Sequence, residues 1–266
     1  MKYAIVERRD DISRNTAEKF HRIARDLGLI HDQQTPDVVV SIGGDGTMLH
    51  AFHSYLEQLD HVAFIGVHTG HLGFFADWKP GEVEILARLM AASGPHDPLR
   101  IVRYPIAEIR IETDSGTTTQ LALNEFTVKG DSGMLVAQLN INDEPFEMFR
   151  GDGICISSPC GSTAYNKSLG GAIIHPSLET IQIAEIASIN NRVYRTLGSS
   201  LLLPKHHHCD IYPKEGQKLL LNADHLTLPA AGVRSIRCMV SEKKISFARL
   251  RSFPFWTRVK DAFIDL

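Results

Sequence analysis

Two short apolar runs constrain the fold of this chain more than any other feature of its sequence. Residues 38–42 read Val-Val-Val-Ser-Ile, and residues 62–67 read Val-Ala-Phe-Ile-Gly-Val. Runs of this length without polar alternation are typical of parallel strands, because helices cover both faces of such a sheet. The runs therefore predict an α/β N-terminal domain with an open, mostly parallel sheet.

Helical patterns surround these runs. Apolar residues recur at a spacing of three to four between Ala17 and Leu27, with Asp11 or Ser13 as the predicted N-cap. A second pattern of the same period covers residues 82–92. Strands that alternate with helices in this way agree with the predicted α/β class.

The periodicity changes near residue 100. Residues 107–112 alternate apolar and polar side chains, 114–116 read as a turn, and residues 121–128 and 134–141 resume strand-like runs. We expect one helix within this part, over residues 180–187. The second half of the chain is thus predicted to form a β-rich C-terminal domain.

The predicted domain limits follow from these changes. A length of 266 residues suits two modest domains. We place the first at 1–100 and the second at 101–245. Residues 246–266 end in an aromatic, periodic stretch, 253–263, which we expect to pack back on the N-terminal domain rather than extend into solvent.

Composition narrows the class of function. The chain has 28 basic and 31 acidic residues, a net charge of -3, and no basic block, so neither nucleic acid nor an anionic membrane is an expected partner. We find no signal-peptide pattern and no apolar run long enough to span a bilayer. The four cysteines form no C-x-x-C pair, which is typical of reduced thiols. We therefore expect a cytoplasmic protein with a small-molecule ligand.

The most informative motif is Gly-Gly-Asp-Gly-Thr at residues 43–47, directly after the first apolar run. Ligands bind at the carboxyl ends of strands in open α/β sheets, and glycines let the backbone approach phosphate groups closely. The motif matches neither a P-loop nor a dinucleotide-binding fingerprint. Local chemistry leaves two interpretations of equal weight, in which Asp45 is either an exposed catalytic carboxylate or the cap of an ordinary turn.

Three other segments combine polar groups in unusual ways. Residues 150–153 repeat a Gly-Asp-Gly pattern after an arginine, and residues 159–168 are rich in hydroxyls and include Tyr165, whose ring could stack on a base. On its own the second segment is more simply a polar loop with a helix cap. Asn124 and Glu125 interrupt an apolar strand, and a buried carboxylate must be paired or face a cleft.

A run of three histidines occupies residues 206–208. We favour a loop or strand end over a metal site, because no cysteine or carboxylate cluster at ligand spacing surrounds the run. No resident metal site is predicted elsewhere.

Taken together, these motifs closely resemble those of the bacterial NAD kinases, over nearly the whole chain. The first motif alone also occurs in diacylglycerol and sphingosine kinases and in phosphofructokinases, so the resemblance depends on the ordered set. The matching segments are residues 43–47, 70–75, 124–125, 150–153, 159–168 and 222–225.

The resemblance implies a phosphotransferase that uses ATP to phosphorylate the adenosine ribose 2′-hydroxyl of NAD, giving NADP. It makes the first domain nucleotide-binding and the second substrate-binding and oligomerising. Asp45 matches the proposed general base, and magnesium is the divalent ion expected with ATP. In phosphoryl transfer, the protein contributes mainly the positioning of the substrates and the neutralisation of charge.

The resemblance also assigns substrate-binding positions. Asn124 and Glu125 match residues that hold the adenosine ribose, and Asp152 matches one near the nicotinamide. Cys160 departs from the family pattern, in which a hydroxyl residue is usual. The full predicted set, beyond the catalytic Asp45, is Gly46, His50, Phe74, Asn124, Glu125, Arg150, Asp152, Cys160, Thr163, Ala164, Tyr165, Asn166, Lys167, Ser168, Ala187 and His225.

The sequence leaves three alternatives to this function. A lipid kinase shares the glycine-rich motif, but no basic amphipathic helix suggests a membrane surface. A non-catalytic dinucleotide sensor is disfavoured by the presence of Asp45, and a metal-dependent hydrolase is weaker still. We also expect a homotetramer with shared sites, because residues 181–189 are more apolar than a solvent-covered helix should be.

Overall fold

The computed structural model describes residues 1–70, 73–94, 99–252 and 254–265. The chain forms two compact units. The first contains residues 1–103 and 244–266, and the second contains residues 104–243. No helix in the described part of the chain is both long and apolar enough to cross a membrane.

The first unit alternates strands and helices. Its elements, in chain order, are β1 (Lys2–Glu7), α1 (Asp11–Asp26), β2 (Ile30–His31), β3 (Val38–Gly43), α2 (Asp45–Ser54), β4 (Ala63–His68), β5 (Ala76–Trp78) and α3 (Val83–Ala92).

The strands of this unit form a parallel sheet in the order β2-β1-β3-β4, and β5 pairs with the far half of β4. Every residue of β3 and β4 is buried, as the two apolar runs predicted. One face of β3 packs with α1 and α3 through Val38, Val40 and Ile42. The predicted α/β class of this part is confirmed.

The N-cap of helix α1 is Asp10. Asp10 accepts a hydrogen bond from the Ser13 amide at 3.0 Å, so neither Asp11 nor Ser13 is the N-cap. Asp11 instead adds a negative charge to the first turn, where the helix dipole favours it. The chain leaves the helix through Gly28, whose φ of 76° suits glycine.

The second unit consists mainly of strands. Its elements are β6 (Ile101–Thr113, which begins in the first unit), β7 (Gly116–Ala122), β8 (Glu125–Gly130), β9 (Leu135–Ile141), β10 (Glu144–Gly151), β11 (Gly153–Ser157), α4 (Tyr165–Ser168), β12 (Thr180–Ile186), β13 (Leu201–Pro204), β14 (His208–Pro213), β15 (Leu219–Ala223), β16 (Leu226–Leu228) and β17 (Val233–Ala248).

Two antiparallel arrangements share one core in this unit. One sheet has the order β13-β12-β11-β8-β15-β16, and the other joins β10-β9-β14-β17 with the hairpin of β6 and β7. A single hydrophobic cluster holds side chains from both, including Phe126, Phe149 and Ile211. The predicted β-rich class is confirmed.

The segment predicted as a helix over residues 180–187 is a strand. β12 pairs with β11 on one side and β13 on the other, and Ile181, Ile183 and Ala184 are buried. A central strand that is covered on both faces carries a nearly continuous apolar run. Over only seven residues, such a run cannot be distinguished from the apolar pattern of a helix. The turn predicted at 114–116 is correct, since Thr113 pairs with Gly116 in the hairpin.

The end of the chain belongs to the first unit. The last residues of β17 pair in parallel with β4, and helix α5 (Phe255–Phe263) follows. Phe255 is buried, whereas Trp256 is largely exposed. Phe253, the first residue of the predicted aromatic stretch, lies outside the described residues.

Candidate active site

The glycine-rich motif forms the connection between β3 and α2. Gly43 ends the strand, and Asp45 is the first residue of the helix. A β-carbon at Gly43 would overlap the side chain of Thr47, so the close turn requires glycine. The amide groups of the first turn of α2 therefore lie at the carboxyl edge of the parallel sheet, where anions bind favourably.

The carboxylate of Asp45 does not cap the helix. Its Oδ2 accepts a hydrogen bond from the Phe74 amide at 2.9 Å, and its Oδ1 accepts one from the Phe75 amide at 3.2 Å. Gly44 holds the cap position without a side-chain bond. Burial raises the pKa of Asp45 above its usual range, although both amides oppose the shift. The capping interpretation is therefore wrong, and the side chain is less exposed than the motif suggested.

A cavity of about 520 Å³ opens beside this turn. Arg8 and Arg9 bring positive charge to it from the end of β1, and His50 faces it from α2. Arg8 also forms an ion pair with Asp10 at 2.6 Å. Two guanidinium groups beside a helix N-terminus make this cavity suited to phosphate groups.

In the second unit, Asn124 lies in the break between β7 and β8 and Glu125 begins β8, so the two do not lie within one strand. Asp224, at φ 51°, accepts the amide hydrogens of Leu123 (2.9 Å), Asn124 (2.7 Å) and Glu125 (3.2 Å). Its own amide donates to the Glu125 carbonyl at 2.8 Å. The carboxylate thus replaces the strand partners that these amides would otherwise need.

The same turn presents two buried oxygens that lack a partner within the described residues. They are Oδ1 of Asn124 and Oε2 of Glu125. Burial and the nearby charge of Asp224 raise the pKa of Glu125 to about 7, and the Tyr165 amide lowers it in part. Buried polar atoms are normally hydrogen-bonded, so these oxygens point to a ligand that supplies hydroxyl or amine donors.

The segment 159–168 packs against this turn. A β-carbon at Gly161 would overlap the Asn124 carbonyl, so the two segments approach as closely as glycine allows. Ser158 Oγ donates to the Leu123 carbonyl at 2.5 Å. Tyr165 begins α4, and its ring lies beneath the Lys129 ammonium, 4.9 Å from the ring centroid.

A third group of predicted residues meets at the β10–β11 turn. The Asp152 amide donates to the Ile186 carbonyl at 2.9 Å, which places Asp152 beside Ala187 at the end of β12. Ala187 has a φ of 47°, so the chain turns sharply there. The Arg150 guanidinium lies 4.2 Å from the centroid of the Tyr194 ring.

Comparisons with known proteins identify the family of this chain. The model of the ATP-NAD kinase N-terminal domain matches residues 2–94, and that of the ATP-NAD kinase C-terminal domain matches residues 123–249. NAD kinase 1 of Halalkalibacterium halodurans is 54% identical over 99% of both chains. NAD kinase 1 of Bacillus subtilis is 50% identical over 99% of this chain and 98% of its own. This chain belongs to the NAD kinase family.

Solved structures of the NAD kinase family share the fold. Yeast NADH kinase, crystallised with NADH, superposes with a TM-score of 0.82 at 18% identity and covers 99% of this chain and 87% of its own. An NAD kinase from Archaeoglobus fulgidus in complex with ATP gives a TM-score of 0.75 at 20% identity, with 94% of each chain covered. The family consists of phosphotransferases, and the enzyme class expected from the sequence is confirmed.

The remaining residues matched to NAD kinase positions lie in two places. In the first unit, Phe74 stacks on Phe263 at 5.7 Å, and Gly46 is exposed in α2. His71 and Leu72 of the same motif lie outside the described residues. In the second unit, the others belong to the turn and short helix after β11 or to the β15–β16 turn: Cys160, Thr163, Ala164, Asn166, Lys167, Ser168 and His225.

Cys160 is buried and begins the short helical turn that ends at Thr163. The hydroxyl contacts of this turn come from its neighbours, since Ser162 Oγ donates to the Pro159 carbonyl at 2.7 Å and Ser158 Oγ accepts from the Gly161 amide at 3.2 Å. The turn therefore forms with a thiol at position 160.

The sequence did not indicate the roles of three polar residues, of which Arg8 and Arg9 lie in the first unit and Asp224 in the second. Arg8 and Arg9 directly follow the first strand, and the parallel order of β1 and β3 would have predicted that both strand ends meet at one sheet edge. Asp224 belongs to a matched motif, but its role depends on contacts with residues about 100 positions away, which no local pattern indicates.

The histidine run lies in a loop that leads into a strand, as the sequence predicted, but a carboxylate cluster does surround it. His208 begins β14, and its Nε2 lies 3.3 Å from an Asp143 oxygen and 3.4 Å from an Asp210 oxygen. These three side chains could hold a metal ion by distance alone. Arg237, however, donates to both carboxylates, at 2.7 Å and 2.6 Å, and already balances their charge.

We predict that Glu125→Gln changes the pH dependence of stability. Folding raises the pKa of Glu125 from 4.5 to about 7, so the stability associated with its protonated form is present at low pH and is lost as the pH rises through about 7. Glutamine does not titrate. Relative to the wild type, the variant should gain about 2 kcal/mol in the free energy of unfolding between pH 5 and pH 8.

Urea unfolding at the two pH values measures this difference. Glu18→Gln, on an exposed face of α1, is the matched control and should show no such gain. If the free energies of unfolding of Glu125→Gln and the wild type differ by the same amount at both pH values, the raised pKa of Glu125 is contradicted.

Proposed function

We propose that the protein transfers the terminal phosphoryl group of ATP to the 2′-hydroxyl of the adenosine ribose of NAD, which gives NADP and ADP. The observation that carries this proposal is the 50–54% identity to proteins named NAD kinase over nearly the whole chain. The polar groups of both units are consistent with this reaction.

Asp45 is the proposed acceptor of the hydroxyl proton. Its two amide partners fix the direction of the carboxylate, and its raised pKa makes it a stronger base than an exposed aspartate. Positioning still contributes most, because phosphoryl transfer depends mainly on alignment and charge stabilisation.

The cavity lined by Arg8, Arg9 and His50 is the proposed site for phosphate groups of the substrates. Magnesium enters with ATP as part of that substrate and neutralises charge on the transferred group. The protein supplies further positive charge through the two guanidinium groups and the first turn of α2.

The turn of Asn124 and Glu125 is the proposed site for the adenosine ribose. Its two unpartnered oxygens can accept hydrogen bonds from ribose hydroxyls. Tyr165 offers an aromatic ring for the adenine base, and Arg150, Asp152 and Ala187 are the proposed contacts toward the nicotinamide end. The other matched substrate positions keep the roles that the resemblance gives them.

We extend the proposal to a homotetramer in the cytoplasm. Residues 181–189, which suggested assembly, do not support it, because the isoleucines of β12 are buried inside the second unit. Exposed apolar side chains instead surround a cavity of about 510 Å³ at β9, β10 and β14, among them Met134, Met148 and Tyr212. A patch of this kind is typical of a protein interface. Four free, buried cysteines are consistent with a reducing compartment.

A panel of phosphoryl acceptors tests the proposed reaction against its closest alternative. The purified protein is incubated with ATP labelled in the terminal phosphate, magnesium and either NAD, diacylglycerol or sphingosine. We expect label in NADP only. Label in a lipid, or none in any acceptor, would refute the proposal.

Tyr165→Ala is expected to weaken NAD binding by about 1 to 3 kcal/mol, the usual contribution of a base stacked on an aromatic ring. Isothermal titration calorimetry with NAD measures the loss. Tyr165→Phe is the matched control: it keeps the ring and should bind NAD nearly as well as the wild type. If the alanine variant melts at a lower temperature but binds NAD normally, Tyr165 serves the fold alone.

A further inference from the structure

The Asp45 carboxylate is held by a segment that does not belong to the glycine-rich motif. Both hydrogen bonds that the described residues give it come from main-chain amides, those of Phe74 and Phe75. Neither amide lies in a helix or a strand, since β5 begins at Ala76. The direction of the Asp45 side chain therefore depends on what fixes this short loop.

Arg258, on α5, contacts the opposite side of the same loop. Its Nη1 donates to the Gly73 carbonyl at 2.8 Å and to the Ala76 carbonyl at 2.5 Å. The Gly73 carbonyl and the Phe74 amide belong to one planar peptide group, in which the two point in opposite directions. That peptide thus lies between a cation at its carbonyl end and the Asp45 carboxylate at its amide end.

Arg258 is itself firmly held. Its side chain is buried, and its Nη2 donates to Oδ1 of Asp77 at 2.6 Å. Phe263, the last residue of α5, stacks on the Phe74 ring. The helix therefore fixes both the main chain and a side chain of the loop, and the planar guanidinium can donate to several acceptors at once.

We infer that Arg258 is a positioning residue for phosphoryl transfer, which fixes the loop whose amides aim the Asp45 carboxylate. This inference rests on the proposed function, in which Asp45 receives the proton of the ribose hydroxyl. Arg258 touches no reacting atom in this role. It acts through the Gly73–Phe74 peptide and makes the C-terminal helix part of the catalytic apparatus.

The effect of Arg258 on the pKa of Asp45 provides a second, independent test. The groups that face Asp45 are the two amides, Arg258 and His68, and all of them lower its pKa, whereas burial raises it. Loss of the Arg258 charge should therefore raise the pKa of Asp45 further. The acid limb of the turnover profile should then move to higher pH, because turnover requires the ionised carboxylate.

Arg258→Met tests the inference, with Arg249→Met as the matched control. Arg249 is also buried and also pairs with Asp77, but its hydrogen bond goes to Oδ2 of that residue. Both variants lose an ion pair and should lose stability. Only Arg258→Met should lower kcat, by about 10- to 100-fold, since a misplacement near 1 Å has effects of this size. The KM values for NAD and ATP should stay within about twofold of those of the wild type, because a misaimed carboxylate affects the transition state more than substrate binding.

Arg258→Lys separates charge from geometry. It keeps the positive charge but cannot span Gly73, Ala76 and Asp77 together. We expect it to restore the acid limb of the profile and only part of kcat. Equal kcat in Arg258→Met and Arg249→Met, measured on folded protein, would overturn the inference, as would a loss confined to KM.

Hydrogen exchange separates this inference from the proposed function. In protein without substrates, the Phe74 amide should exchange faster in Arg258→Met than in Arg249→Met, because its peptide has lost the carbonyl partner. Unchanged exchange would overturn the positioning role even in an active enzyme. A wild type that forms no NADP while the exchange difference is present would refute the proposed function alone.

Discussion

Asp45→Asn should retain NAD affinity and lose turnover by about 10²- to 10⁴-fold, the usual effect of removing a positioned acid or base. Asparagine is nearly isosteric and can still accept a hydrogen bond from the Phe74 or Phe75 amide, so the fold of the loop should survive. What it lacks is the capacity to take the hydroxyl proton. Steady-state kinetics of NADP formation, with calorimetric titration of NAD, separates the two effects.

Asp11→Asn is the control for this substitution. Asp11 also lies in the first turn of a helix in the same unit, but it is exposed on α1 and bonds only to Arg14 among the described contacts. The turnover of the Asp11→Asn variant should equal that of the wild type. Near-normal turnover in Asp45→Asn would remove Asp45 from the mechanism.

Gly73→Ala should also abolish most activity, although the substitution adds one methyl group. A β-carbon at position 73 would overlap the Asp45 carboxylate itself. The carboxylate is the free end of a side chain and can rotate away, so the melting temperature should change little. Its displacement should lower kcat by about 100-fold, because the reaction depends on its position.

Gly81→Ala is the matched control for the added methyl. Gly81 is exposed in the turn before α3, and the described structure places no atom within 4 Å of a β-carbon there. Circular dichroism melting curves and NADP formation are measured for both variants. A Gly73→Ala enzyme with normal kcat would mean that the carboxylate does not need the position seen here.

The local sequence pattern predicted those parts of the structure that depend on residues close together in the chain. The continuous apolar character of β3 and β4 requires a sheet covered on both faces, and residues 43–47 then follow at its carboxyl edge. The fold class and the enzyme family were predicted from these segments together with the resemblance. The assignment of individual substrate contacts remains a prediction.

The features of the site that the sequence could not predict depend on contacts between residues far apart in the chain. The Asn124–Glu125 turn resembled a strand interior, because the carboxylate that breaks the strand belongs to Asp224. In the same way, Asp45 resembled an exposed carboxylate or a cap because its partners, Phe74 and Phe75, lie some 30 residues further on. β12 was mistaken for a helix because most of its residues are buried on both faces of the sheet, which removes the alternation that identifies strands.

We expect this chain to phosphorylate the adenosine ribose of NAD at its 2′-hydroxyl, with the Asp45 carboxylate aimed by the amides of Phe74 and Phe75. The most direct test is the identity of the product formed from NAD, ATP and magnesium by the purified protein, read by phosphorus NMR and mass spectrometry. The expected product carries a single new phosphate monoester on the 2′ position, formed in equal amount with ADP. A phosphate on the 3′ position, or ADP without any phosphorylated dinucleotide, would contradict it.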